Sequence, residues 1–424
     1  MSAHTVQTPT AQTLSLHLAL NDITDIDKAN KGGNKMRKTT ALLLVLLLSL
    51  FITNAIASET DGRFAFVPSE GDNNLTIVDL ITEKAVKTLS TGKTPHALVF
   101  TSGGKGYVNN RGTKDLTVID GNKFELLKTI SLPATSFQLA LSPDGKTLAV
   151  AYKDALKTSL IDTATDSIIR TVDIGKEPAG AFKGAMMKHP YWSRDGKSLY
   201  VSDNVNNALV KIDAATFAIK ATISLPGSNH YVHPSPDGKL LYAVNETTKT
   251  GTSVTLVEAN TDKIVRDIPI PLEAGEPGLG HHGEFTKDGR FFFVCNEGGR
   301  TVAVIDTAKR EVVKTLKAGM GAGHPAMTRD GKYIFVIHHK DNVVTVIDTA
   351  KQEIVKNINV GTGKKQAHGS YFSPDGKYLY MINAEDNMLV RIDVAKKEVA
   401  SKMPVGKSAM YFGIREGKEF PGTE

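Results

Sequence analysis

Ser373-Pro374-Asp375-Gly376-Lys377-Tyr378-Leu379-Tyr380-Met381 reads as a tight polar turn feeding a short apolar run. Asp-Gly supplies the backbone freedom of a hairpin turn, and the aromatic and aliphatic residues behind it favour a strand. The same turn stands at Asp61-Gly62, Asp144-Gly145, Asp195-Gly196, Asp237-Gly238, Asp288-Gly289 and Asp330-Gly331, with Gly103-Gly104 filling the missing second place. Successive turns are 41 to 51 residues apart. After each comes an apolar run, then a polar, Asn-rich loop. A strand ending in an acid follows: Val78-Asp79, Ile119-Asp120, Ile161-Asp162, Ile212-Asp213, Val257-Glu258, Ile305-Asp306, Ile347-Asp348 and Ile392-Asp393. A fourth strand, of which Val312-Val313-Lys314-Thr315-Leu316 is typical, completes the unit.

Four short strands per unit, joined by turns and lacking a helical period, predict an all-β chain built as a single β-propeller. The length of 424 residues alone allows about two to three domains, but a closed ring of repeats makes one. Eight acid-ended strands give eight four-stranded blades, and seven remain open if one unit is degenerate. Naming strands A to D outward from the axis, the first unit starts at strand B (Arg63 to Val67) with no A strand before it. Ala409-Met410-Tyr411-Phe412-Gly413-Ile414 is a spare A-like strand, followed by Glu416-Gly417-Lys418 as an echo of the turn. The C-terminal strand is therefore expected to complete the N-terminal blade and close the ring.

Composition agrees with a folded chain: 41% hydrophobic and 23% charged residues exclude wholesale disorder. A formal charge of +6 without a Lys/Arg-rich run argues against nucleic acid as a partner, and the single Cys295 rules out an internal disulfide. Near the N-terminus, Met36-Arg37-Lys38 opens a basic segment before the apolar run Ala41 to Ile52, and Ala55-Ile56-Ala57 is an A-x-A site. Residues 36–57 thus read as a secretory signal peptide cleaved after Ala57, leaving 58–424 as the propeller domain. Its apolar run is short for a membrane span, and no second one follows. The segment Lys31-Gly32-Gly33-Asn34-Lys35-Met36 can be encoded by an AGGAGG-containing stretch before an ATG, as in a bacterial ribosome-binding site. Residues 1–35 are accordingly expected to be upstream sequence, or else an extension, with translation starting at Met36. The expected address is periplasmic or secreted.

The units with Ser-Pro-Asp-Gly-Lys (Ser142 to Lys146, Ser373 to Lys377) and Tyr107-Val108-Asn109-Asn110 resemble the YVTN β-propeller repeats across the mature chain. That family implies the fold and leaves function open, since such propellers range from surface proteins to enzymes.

Ten histidines follow residue 57. Eight are expected at or just before the start of an A strand: His96, His189, His230, His233, His281, His282, His324 and His368. His338 and His339 are expected at the end of a B strand, on the same face. The two longest spacings bring extra sequence to that face, at Met186-Met187-Lys188-His189 and Gly280-His281-His282-Gly283. Neutral imidazole is a common ligand for Cu, Zn, Fe and Ni, so His189, His230, His233, His281 and His368 are candidate metal ligands. A polar channel mouth inherited by repeat duplication is the alternative. There is no HExxH, CxxCH, P-loop or G-x-S-x-G motif.

The His pattern and the blade count resemble the haem-d1-binding propeller of dissimilatory nitrite reductase and its lone-propeller relatives. Thr91-Gly92-Lys93-Thr94-Pro95-His96, running on to Tyr107-Val108 and Leu116 to Asp120, resembles the segment carrying the axial haem ligand; His282-Gly283 and His324-Pro325 resemble the two distal histidines. The resemblance implies His96 as iron ligand, His282 and His324 as the polar pair opposite, and haem d1 or a transition metal (Cu or Fe) as cofactor. The sequence departs from that family in showing no c-type haem domain, which leaves electron delivery unexplained. The expected role is that of a carrier, cofactor-handling protein or redox accessory with an envelope or redox protein as partner. Asn110, Arg111, Asp203, Asn204, Asn245, Glu246, Asn296, Glu297 and Asn383 end B strands on that face. They serve either as loop residues or, in a lactonase-like hydrolase, as holders of a divalent cation. Cys295 and Trp192 are expected in the core, and Met186, Met187 and Met320 either fill gaps or attend copper. A non-enzymatic scaffold for an envelope partner is the remaining alternative.

Overall fold

Eight antiparallel sheets of four strands each form an eight-bladed β-propeller. The computed structural model describes residues 62–176, 189–273, 275–364 and 366–415, the side chains of 366–368 excepted. The expected signal peptide and residues 1–35 lie outside the described residues, as do Met186 and Met187. No helix of the described residues is long and apolar enough to cross a membrane.

The sixth blade shows how sequence becomes blade. Its strands run Gly280–Phe285, Phe291–Asn296, Thr301–Asp306 and Glu311–Lys317. The second and third are buried nearly throughout, because both faces pack on neighbouring blades, and so they read as continuous apolar runs. The outermost strand buries Leu316 and otherwise carries partly or fully exposed residues, among them Glu311, Lys314 and Lys317. Charged residues along this edge discourage pairing with another chain.

Both turn signals have a structural cause. In Ser373-Pro374-Asp375-Gly376, the Ser373 hydroxyl donates to Asp375 at 2.7 Å and accepts from the Tyr378 N–H at 3.0 Å. Gly376 then takes φ +71°, a conformation costly for side-chain-bearing residues. The aspartates that end C strands cap the next turn: Asp162 accepts backbone N–H groups from Ala164 at 2.9 Å and Thr165 at 2.7 Å.

The ring closes with C-terminal residues, as expected. Gly413–Ile414 pairs with Phe64–Ser69 as the innermost strand of the first blade, and the Gly62 N–H donates to the Arg415 carbonyl at 2.6 Å. Ala65, Val67, Phe412 and Ile414 join Tyr380, Ile382 and Met403 of the eighth blade in one core cluster. The closing strand is shorter than expected: only Gly413 and Ile414 pair in the ladder, and Ala409 makes a single bridge to Ser69. Between them Tyr411 turns to another blade, its hydroxyl accepting from the Gln138 side-chain amide at 2.6 Å.

Candidate functional site at the histidine face

Most A strands carry a register irregularity near their start. It falls between Pro95 and Leu98, Ser136 and Gln138, Gly280 and Gly283, Ala322 and His324, and Gln366 and Ser370. Such bulges turn side chains out of the pleat and are frequent beside functional sites. His96, His281, His282 and His324 all sit at these irregularities, and all four are buried.

Six imidazoles form one contiguous cluster. The His282 ring lies 4.2 Å from His324, 4.9 Å from His281, 5.0 Å from His230 and 5.7 Å from His189. His230 stands 3.9 Å from His281, and His339 stands 4.8 Å from His281 and 5.0 Å from His324. Among the described residues, three sets have ligand atoms within 4.8 Å of one another: His189, His230 and His282; His281, His282 and His324; and His281, Glu297 and His339. Burial, followed by the charges of neighbouring histidines, holds His189, His281 and His282 well below the ordinary imidazole value. They are neutral near pH 7, the form that binds metal.

Carboxylates organise the cluster. Glu246 Oε1 is 2.6 Å from His230 Nδ1, and Glu297 Oε2 is 3.2 Å from His339 Nδ1. Burial opposes ionisation of Glu297, but His339 and Lys340 outweigh it and hold the carboxyl down at about 2. His230 Nε2 and both nitrogens of His282 are buried and have no hydrogen-bond partner among the described residues. A buried polar atom left in this state costs about 1–3 kcal/mol, so these nitrogens are suited to a bound water or a ligand.

His96 occupies a different neighbourhood. Its Nδ1 is 2.5 Å from Glu70, and its ring packs 4.7 Å from Tyr411 and 6.1 Å from Phe137. Phe137 in turn lies 5.5 Å from His189. The structure thus brings His282 and His324 together and sets His96 beyond an aromatic spacer. Arg111 lies beside it, 4.8 Å over Phe137 and 3.7 Å from Glu70, with Nε and Nη2 buried and lacking a hydrogen-bond partner.

Two placements differ from the sequence reading. His233 is not at the start of its strand: Gly227–Pro234 is the longest A strand, because it pairs with the extended Leu240–Thr248, and His233 falls near its far end. There it packs 5.4 Å from Phe292 and its Nε2 accepts the Gly283 N–H at 3.0 Å, as a half-buried, hydrogen-bonded histidine. His339, left out of the expected ligand sets, belongs to the cluster because the end of a B strand reaches the A strand of the preceding blade. The side chain of His368 lies outside the described residues. His338 is buried with its Nε2 2.9 Å from the Thr345 hydroxyl.

The remaining candidates have local duties. Asn110 donates to Asp115 and Thr117, Asn245 to Ser253 and Thr255, and Asn383 to the Gly363 carbonyl. Asp203 accepts from Val205 and Asn206, and Asn296 from Leu279 and Gly299. Cys295 is buried and its thiol is pushed far up by burial; Trp192 donates to the Ala140 carbonyl at 3.0 Å; Met320 is exposed.

Residues 135–325 match the family model described as the cytochrome D1 heme domain, and residues 299–412 match a domain of unknown function, DUF5074. Among solved structures, dihydro-heme d1 dehydrogenase NirN in complex with DHE is similar at 20% identity and TM-score 0.69, over 81% of this chain and 74% of that one. Hydrazine synthase of Kuenenia stuttgartiensis is similar at 21% identity and TM-score 0.54, over 71% and 96%. A functionally unknown protein from Desulfotomaculum acetoxidans is similar at 12% identity and TM-score 0.54, over 84% and 99%. His96 lies outside the stretch matched by the cytochrome D1 model. The chain is an eight-bladed propeller similar in fold to NirN, and over the stretch that holds His189, His230, His281, His282 and His324 it is similar to a cytochrome D1 heme domain.

Proposed function

We propose that this chain is an exported binding protein that holds a tetrapyrrole of the haem d1 type at its histidine face, as a carrier, cofactor-handling protein or redox accessory. The observation that carries the reading is His282: a buried imidazole with neither nitrogen partnered, set among His189, His230, His281 and His324. Two further features support it. The Glu70 carboxylate beside His96 Nδ1 is the kind of outer partner that orients a metal-binding histidine. The buried Nε and Nη2 of half-buried Arg111, unpartnered among the described residues, suit an anionic group, such as a carboxylate on the rim of a macrocycle. When bound, the tetrapyrrole supplies an iron centre; His96 would hold it, and His282 with His324 would line the side where a small ligand binds.

Titration of apo-protein with haem d1, haem b and Cu(II), followed by absorbance, tests this. Wild type is expected to bind haem d1. His96→Ala is expected to abolish the iron interaction, whereas His282→Ala and His324→Ala retain the haem and alter its small-ligand binding. If wild type binds none of the three more tightly than His96→Ala does, the cofactor reading fails and a scaffold for an envelope partner takes its place.

A further inference from the structure

We propose that His281, Glu297 and His339 form a separate mononuclear site for a divalent first-row transition ion, bridging the sixth and seventh blades. His281 is the second residue of Gly280–Phe285; Glu297 directly follows Phe291–Asn296 of the same blade; His339 directly follows Tyr333–His338 of the next. Backbone bonds fix both loop residues: the Glu297 N–H donates to the Leu279 carbonyl at 2.9 Å, and the His339 N–H to the Gly321 carbonyl at 2.7 Å.

Glu297 Oε2 is 3.2 Å from His339 Nδ1 and 3.8 Å from His281 Nε2. Ligands bound at about 2.0–2.2 Å in a tetrahedral arrangement lie about 3.4 Å from one another, so little movement is needed to admit an ion. Lys340 occupies the other carboxylate oxygen at 2.8 Å, leaving Oε2 as a single donor. Two imidazoles and one carboxylate, with further positions open, suit Zn(II), Fe(II) or Co(II); Ca(II) and Mg(II) prefer oxygen ligands throughout.

The site is also shaped in advance. Gly323 lies against the His339 ring so closely that an added Cβ would meet Nε2 at 2.8 Å and Nδ1 at 2.9 Å. Absence of a side chain at 323 lets His339 swing toward Glu297. An ion here would sit beside His324, whose ring lies 4.9 Å from His281 and 5.0 Å from His339. The site does not depend on the tetrapyrrole reading.

The test is titration of chelator-treated full chain with Co(II), read by its visible d–d absorption. Wild type should bind Co(II) with bands of low coordination number. Glu297→Gln and His339→Gln should weaken that binding by at least about tenfold. Gly323→Ala, which removes no ligand, should weaken it in the same direction by displacing His339. Near-ultraviolet circular dichroism checks folding, and Glu297→Gln, which keeps the shape of the side chain, carries the test if His339→Gln does not fold. Unchanged Co(II) affinity and spectrum in both Glu297→Gln and Gly323→Ala overturns the site. Haem titration of wild type is a separate readout, so failure of the cofactor reading leaves the Co(II) result standing.

Discussion

Glu246 Oε1 lies 2.6 Å from His230 Nδ1, and the two residues belong to adjacent strands of one blade. The carboxylate accepts the proton of Nδ1, which leaves the lone pair of Nε2 directed away from it. That nitrogen is buried and unpartnered, in a ring 3.9 Å from His281 and 4.9 Å from His189. Outer-shell partners of this kind typically govern metal affinity by about 10–100-fold. Glu246→Ala should therefore weaken Cu(II) binding by about that factor, measured by competition with a chelator. Unchanged affinity would remove His230 from the ligand set.

Stability should fall on mild acidification. Burial holds His189, His281 and His282 well below the ordinary value, and takes His233 down to about 3 and His338 down to about 4. Above about pH 6.5 neither folded nor unfolded chain protonates them; below it the unfolded chain takes up protons that the folded chain refuses. Each such group costs up to about 1.4 kcal/mol per pH unit until its folded value is reached. Burial pushes Glu284 up to about 7, with the opposite sign: its contribution is full below about pH 4.5 and lost as pH rises through about 7. Five groups outweigh one, so Tm should drop between pH 7 and pH 5, and a rise over that interval would contradict the assignment. Glu284→Gln should be more stable than wild type at pH 8, by on the order of 2 kcal/mol, and no more stable at pH 4.

Removing residues 406–424 should cost far more than trimming a surface loop. It deletes the Gly413–Ile414 strand, the Ala409 bridge and the Arg415 carbonyl that accepts from Gly62, and it exposes the inner edge of the first blade. The milder Phe412→Ala, at a residue 1% exposed, should cost about 3–5 kcal/mol through the cavity it leaves. Denaturant melts and light scattering report both, and a truncated chain with unchanged Tm and solubility would refute the closure.

Export is tested at the N-terminus. Sequencing of the native exported protein should start at Ser58, from a precursor beginning at Met36. A cellular peptide from residues 1–35 would overturn the start site.

The ring was legible because its signals are local. Asp-Gly turns and acid-ended strands recur along the chain, and each does its work within a few residues, as Asp375 and Asp162 do. The arrangement of the histidines was legible only in part, since contacts across blades depend on strand lengths and bulges rather than on spacing. His233 illustrates the first, in a strand that starts early relative to its turn. His339 illustrates the second, at a B-strand end that meets another blade's A strand. Glu70, Glu246 and Glu297 look in sequence like any polar residue ending an apolar run. Nothing local separates them from Asn110, which bonds within its own loop, or Asn383, which bonds the Gly363 carbonyl of the loop before its A strand.

Tyr411 gives the closing segment a second consequence. Its ring stands 4.7 Å from His96, and its hydroxyl accepts from Gln138. One wall of the His96 neighbourhood is therefore built from residues synthesised after every other blade strand of the described chain. A polypeptide that still lacks Tyr411 cannot present His96 in its finished surroundings. Any ligand that needs this wall of the His96 neighbourhood therefore meets it only after the ring has closed.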